Sequence, residues 1–195
     1  MEAYRTALDV GAELVEVDIR RRSDGTFVCA HDEIADESPL LADVLALVEE
    51  HGAGAHVDLK ESGYEADLAE FVSRYRLTPV YFTIGDPKSV RALRSSGVEA
   101  LLTLGPAFRG RPLWDALRDL LNAAVPFWRL ASCDARGVAA QFRFAGPVLR
   151  WWCRRRRLAM LVWTVNDDRR LRRFLRARGV TAVVTDRPRR ALDLR

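Results

Sequence analysis

Glu16 and Asp18 stand two apart in the apolar run AELVEVDI at 12–19. On a β-strand that period sends both side chains to one face, while Val15, Val17 and Ile19 point to the other. Two carboxylates on one face of a buried strand repel each other unless a cation lies between them. The run AHVDLK at 55–60 repeats the pattern with His56, Asp58 and Lys60 on one face. Two such strands side by side bring together three carboxylates and a lysine, and three hard oxygen donors suit Mg²⁺ or Ca²⁺ rather than zinc. Each residue alone is ordinary, since Glu-x-Asp on a strand more often marks a solvated sheet face; the convergence carries the reading.

The elements that must position these groups alternate along the chain. Strand-like runs lie at 12–19, 55–60, 79–84, 99–104, 124–130, 158–165 and 181–185. Between them lie helical patterns with recognisable ends. Ser38 and Pro39 start a helix whose Leu41, Val44, Leu45 and Val48 share a face and which Gly52 ends; Asp86 and Pro87 open another; Asn166 is placed to cap a third that Gly179 closes. Residues 2–11 read as a helix leading into the first strand. Such alternation predicts an α/β fold with a parallel sheet. A helix followed by seven strand and helix repeats is one strand short of a (β/α)₈ barrel, so the expected architecture is a TIM-type barrel lacking its first strand, in one domain over 1–195. The absent strand would precede Met1.

One hairpin interrupts the alternation, where Ser23-Asp24-Gly25 leads into TFVCAHD. A two-residue Asp24-Gly25 loop sets Asp18 opposite His31, and a three-residue loop shifts that register by one. In a barrel His31 joins the acids near the C-terminal rim, where barrel enzymes place their sites. His56 reads as a hydrogen-bonded interior residue one layer deeper, and His51 has no evident role. Trp163 and Asn166 fall near a strand end, where they either line a pocket mouth or serve packing and capping.

Composition bounds the rest. The 195 residues are 49% hydrophobic, enough for a buried core, and 31 basic against 27 acidic side chains leave a formal charge of +4. No apolar run is long enough to span a bilayer and no signal segment is visible. Cys29, Cys133 and Cys153 are odd in number and lack metal-ligand spacing, which suits a reducing, cytoplasmic setting. The arginines are scattered among acids without a DNA- or RNA-binding motif, so no nucleic-acid partner is expected. The segment FAGPVLRWWCRRRR sets an aromatic pair against a basic run, a pattern shared by membrane-surface helices and by helices packed on a barrel exterior; the second is the expectation.

EVDIRRRSDGTFVCAHD, HVDLK, VWTVND and GVTAVVTDRP, in this order, resemble the glycerophosphodiester phosphodiesterase family over nearly the whole chain. The resemblance implies a (β/α)₈ barrel that hydrolyses glycerophosphodiesters to glycerol 3-phosphate and an alcohol with a divalent cation. It implies Glu16 and Asp18 as metal ligands, with Asp58 where the family usually has a glutamate ligand. Lys60 matches the lysine that faces the phosphate, His31 matches one of two histidines used as general acid and base, and Trp163 matches a border of the substrate pocket. The family's opening strand, ending in His-Arg-Gly with the other histidine and a phosphate-holding arginine, has no counterpart here. Weak or absent hydrolysis by these 195 residues is therefore expected, and a noncatalytic homologue that binds a phosphorylated ligand or a partner protein is the competing reading. The alcohol, the choice between Mg²⁺ and Ca²⁺, and the oligomeric state are not legible in the sequence.

Overall fold

A computed structural model describes residues 1–105 and 127–195, with the side chains of 127 and 128 excepted. The chain divides into two compact units, Met1–Ala100 and Leu101–Arg195. The first opens with helix α1 (Glu2–Asp9) and carries strands β1 (Leu14–Arg21), β2 (Phe27–Cys29), β3 (Gly54–Leu59) and β4 (Val80–Ile84) in the order β2-β1-β3-β4. β1 pairs antiparallel with β2 and parallel with β3, and β3 runs parallel to β4. Helices α2 (Leu41–Glu50), α3 (Glu65–Ser73) and α4 (Pro87–Ser95) alternate with these strands.

Burial follows the side-chain period of two. Along β1, Val15, Val17 and Ile19 are buried while Glu16 and Asp18 are only half-buried. The apolar strand face meets helix faces built at helical spacing: Leu41, Val44, Leu45 and Val48 on α2, Leu68 and Val72 on α3, Val90 and Leu93 on α4. The start of α4 follows its sequence signals, since Asp86 accepts a hydrogen bond from the Ser89 N–H and Pro87 takes the first helical position.

The second unit holds β5 (Ala100–Leu104), whose first residue belongs to the first unit, α5 (Phe127–Cys133), β6 (Gly137–Gln141), α6 (Pro147–Arg156), β7 (Ala159–Trp163), α7 (Asp168–Leu175), β8 (Ala182–Val183) and α8 (Pro188–Asp193). β5, β6, β7 and β8 pair in chain order, all parallel. Strand and helix alternation with parallel pairing in both units is the construction expected of the barrel class. Among the described residues, no helix is long and apolar enough to cross a membrane. α6 buries Leu149 and Cys153 and leaves Val148 and Trp151 exposed, so one of its faces packs inward as expected of a helix on a barrel exterior.

Two expectations are corrected and one open alternative is settled. The run at 124–130 does not form a strand over its described part: α5 begins at Phe127, and the strand that continues the sheet is GVAAQ at Gly137–Gln141. Its small residues carry little β-propensity, and close packing rather than propensity puts it there: a Cβ on Gly137 would lie 2.1 Å from the Ala159 carbonyl oxygen on β7. The hairpin has a three-residue loop. Arg21 faces Phe27 and the Arg22 N–H bonds the Thr26 carbonyl, with Gly25 at φ +91° supplying the left-handed residue that closes such a loop. Ala30, not His31, therefore lies opposite Asp18, and its N–H donates to the Asp18 carbonyl at 2.9 Å. The cap of α7 is Asp167, whose carboxylate accepts from the Arg170 N–H at 3.0 Å, and Asn166 is used elsewhere.

Gly137→Ala forces one strand off its neighbour's backbone, and overpacking of this kind costs about 1–3 kcal/mol. Urea unfolding of the variant is expected to show a lowered midpoint; an unchanged midpoint would contradict the close approach.

Candidate active site

Parallel pairing of β1 with β3 sets Glu16 beside His56 and Asp18 beside Asp58, so the two acidic patterns come together in register. One ligand atom from each of Glu16, Asp18 and Asp58 lies within 4.8 Å of the others. Lys60 reaches into this cluster: its Nζ is 2.6 Å from Asp18 Oδ1 and 2.6 Å from Asp58 Oδ2. These side chains keep about a fifth of their surface exposed, so water and a ligand can reach them.

Three carboxylates and one ammonium leave the cluster short of positive charge. Burial first, and the charge of Asp18 second, push the Glu16 carboxyl well above the usual carboxylate range. Burial lowers the proton affinity of Lys60, but the Asp58 and Asp18 carboxylates outweigh it and raise the ammonium above its ordinary value. The donor set fits a hard divalent cation: three oxygens close enough to share one ion, half-buried, with one carboxyl raised first by burial and then by its acidic neighbours.

Two groups beneath the acids escaped the sequence reading. Thr83 on β4 stands beside Asp58 in the register, fully buried, and donates its hydroxyl proton to Asp58 Oδ1. His56 Nε2 lies 2.8 Å from Thr83 Oγ1, and burial holds the imidazole down at about 4, in its neutral form. His56 is thus the interior, hydrogen-bonded histidine that the strand period suggested. Arg20 is the other omission. It continues the Glu16 and Asp18 face of β1, pairs with Glu61, and directs a guanidinium N–H to the His31 carbonyl at 3.4 Å. Only the pairing of β1 with the segment after β3 reveals its neighbours.

His31 stands past the end of β2 with its side chain two-thirds exposed and Nδ1 3.0 Å from Asp32 Oδ1. A carboxylate can only accept, so Nδ1 carries the proton and Nε2 is left as a base toward solvent. Arg20, Asp32, Glu33, Ile34 and Glu61 line an open groove on this side of the first unit. His51, by contrast, bonds the Leu47 carbonyl and pairs with Asp9.

In the second unit, the two late motifs meet each other. Asn166 donates to Asp186 Oδ2 at 2.6 Å, and its amide oxygen accepts from the Asp186 N–H and from Thr185 Oγ1, each at 3.0 Å. Arg187 donates to the Asn166 carbonyl. Trp163 ends β7 against Gly105 and beside Gln141; a Cβ at 105 would come within 2.9 Å of the indole.

The strand and helix alternation is of the barrel class, and it gathers three acids on adjoining parallel strands around a lysine, a donor set that could hold a cation. The comparisons show what the chain is similar to. The model of the glycerophosphoryl diester phosphodiesterase family matches residues 1–49. A glycerophosphodiester phosphodiesterase from Thermotoga maritima shares the fold with a TM-score of 0.75 at 18% identity, over 100% of this chain and 90% of that one. Another from Agrobacterium tumefaciens gives 0.73 at 18% identity, over 96% and 90%. An Oleispira antarctica phosphodiesterase in complex with the product sn-glycerol-3-phosphate gives 0.73 at 17%, over 98% and 88%. No curated protein matches the sequence. The chain resembles the glycerophosphodiester phosphodiesterase family in sequence at 1–49 and in fold over its whole length, and that fold is of the TIM-barrel class.

The charge balance around Lys60 yields a pH test. A carboxyl whose folded proton affinity is raised makes the folded state bind more protons than the unfolded chain, so it lowers stability as pH rises through that interval. Lys60→Met removes the compensating ammonium and steepens this loss. Urea unfolding in chelator is expected to show the variant destabilised at both values, because the raised ammonium stabilises the fold throughout this range, and more so at pH 8 than near pH 4.5; an equal difference at both values would contradict the charge assignment.

Proposed function

We propose that this chain is a metal-dependent hydrolase of glycerophosphodiesters, releasing glycerol 3-phosphate and an alcohol. The observation that carries the reading is the gathering of Glu16, Asp18 and Asp58 around Lys60 in this fold. The fold is shared with a phosphodiesterase that holds sn-glycerol-3-phosphate as product.

In this reading Glu16, Asp18 and Asp58 hold a Mg²⁺ or Ca²⁺ ion. Held by these carboxylates, such an ion would supply positive charge to polarise a phosphoryl oxygen. Lys60, freed from one of its two carboxylates, places an ammonium against another phosphoryl oxygen. His31 moves the proton through Nε2, while Asp32 holds Nδ1–H and so fixes the ring's tautomer. Water adds its oxygen to phosphorus, the bond from phosphorus to the alcohol oxygen breaks, and the alcohol leaves with a proton. The resemblance also assigns Trp163 to the substrate. The three cysteines, all buried, suit a reducing setting such as the cytoplasm.

Of the three histidines, only His31 offers an exposed ring at a strand end; His51 is tied to Asp9 and Leu47, and His56 is buried. One histidine must then serve two proton transfers, and a missing acid or base group lowers rates by about 10² to 10⁴. These 195 residues are therefore expected to turn over slowly.

The test is release of glycerol 3-phosphate from glycerophosphocholine with Mg²⁺, with Ca²⁺ and with chelator. Slow, chelator-sensitive release is expected, lost in Asp18→Asn, and faster in a chain extended at its N-terminus by a strand ending in His-Arg-Gly. Binding of glycerol 3-phosphate with no turnover in either chain would replace this reading with that of a noncatalytic phosphate-ligand binder.

A further inference from the structure

Thr83 lies between a buried histidine and Asp58, one of the two aspartates of the acidic cluster, and the proton count along this line has one solution. The Thr83 hydroxyl carries a single proton. Its oxygen faces Asp58 Oδ1 on one side and His56 Nε2, at 2.8 Å, on the other. Asp58 offers Oδ2 to the Lys60 ammonium, and a carboxylate so paired accepts hydrogen bonds without giving any. The threonine proton therefore goes to Asp58, and the threonine oxygen must receive the N–H of His56 Nε2. His56 Nδ1 is then a bare acceptor, in agreement with its having no partner among the described residues although the residue is only 4% exposed. Hydrogen bonds run one way, from His56 to Thr83 to Asp58.

An aspartate has one fewer torsion than a glutamate between its backbone and its carboxylate, so a swing of the plane moves both oxygens off their targets. Thr83 pins Oδ1, which directs Oδ2 toward Lys60 and the face shared with Glu16 and Asp18. Thr83 is itself held by the full burial of its side chain and by the register that sets it beside Asp58.

We propose that Thr83, oriented by His56, is a positioning residue that aims the Asp58 carboxylate at a divalent cation held with Glu16 and Asp18. The proposal rests on the reading of those three acids as cation ligands. Partners of ligating groups typically govern 10- to 100-fold in metal affinity.

The experiment is calorimetric titration of the full chain with Mg²⁺ and with Ca²⁺, comparing the parent with Thr83→Val and Thr83→Ser. Valine keeps the shape and removes the hydroxyl; serine keeps the hydroxyl. A 10- to 100-fold weaker affinity in Thr83→Val, with affinity within about threefold of the parent in Thr83→Ser, is the expected result. Equal binding by Thr83→Val and the parent overturns the positioning role while leaving the acids as ligands. A parent that binds neither ion overturns both readings together. Should the valine variant fail to fold, the ¹⁵N resonances of His56 in the parent decide: a protonated Nε2 with a bare Nδ1 is expected, and a proton on Nδ1 overturns the proposal.

Discussion

Mutual repulsion among Glu16, Asp18 and Asp58 is the constraint from which the chemistry of the first unit follows. Burial of the outer apolar face of β1 and β3 fixes which way these carboxylates point, and the parallel register fixes how near they come. Neither effect favours placing like charges together. The hydrophobic term outweighs that cost: Val17, Ile19 and Val57 are fully buried, and burying a side chain of this size stabilises the fold by about 1.5–3 kcal/mol each. The fold thus imposes an electrostatic tension, which Lys60 relieves in part and a proton on Glu16 relieves further.

Under the proposed function, that tension would give Lys60 two uses at different moments. With only protein groups at the site, its ammonium bridges Asp18 and Asp58 and stands where positive charge is needed. In the proposed reading, a divalent ion would take over that duty and free the lysine to face a phosphoryl oxygen. A single flexible side chain can thereby hold the acids in place before a ligand arrives and meet the ligand afterwards, which a rigid guanidinium fork would do less well.

How much of this was legible follows from which interactions are local. The spacing of Glu16 and Asp18, and of Asp58 and Lys60, was readable because a strand's period is a property of the backbone alone. Helices with an apolar stripe and a clear end, such as Leu41–Glu50 and Pro87–Ser95, were readable for the same reason. The strand at Gly137–Gln141 was not, because a run of glycine, valine and alanine becomes a strand through contact with Ala159 and Met160 on β7. The hairpin register turned on whether two or three residues made the loop, which Gly25 alone did not decide. Thr83 and Arg20 stayed hidden because their roles depend on Asp58, Glu61 and the His31 carbonyl, all distant in sequence from at least one of them. The resemblance supplied what local pattern could not, since the motifs at 163–166 and 185–188 are tied together by Asn166 in space and not by any periodicity.

The contact between Gly105 and Trp163 binds two distant positions into one heritable unit. Any side chain at 105 would occupy volume that the indole now fills. Descendants of this sequence can enlarge position 105 only by first trading the tryptophan for something smaller, so the two sites must drift as a pair. Selection that holds one of them in place preserves the other without acting on it directly.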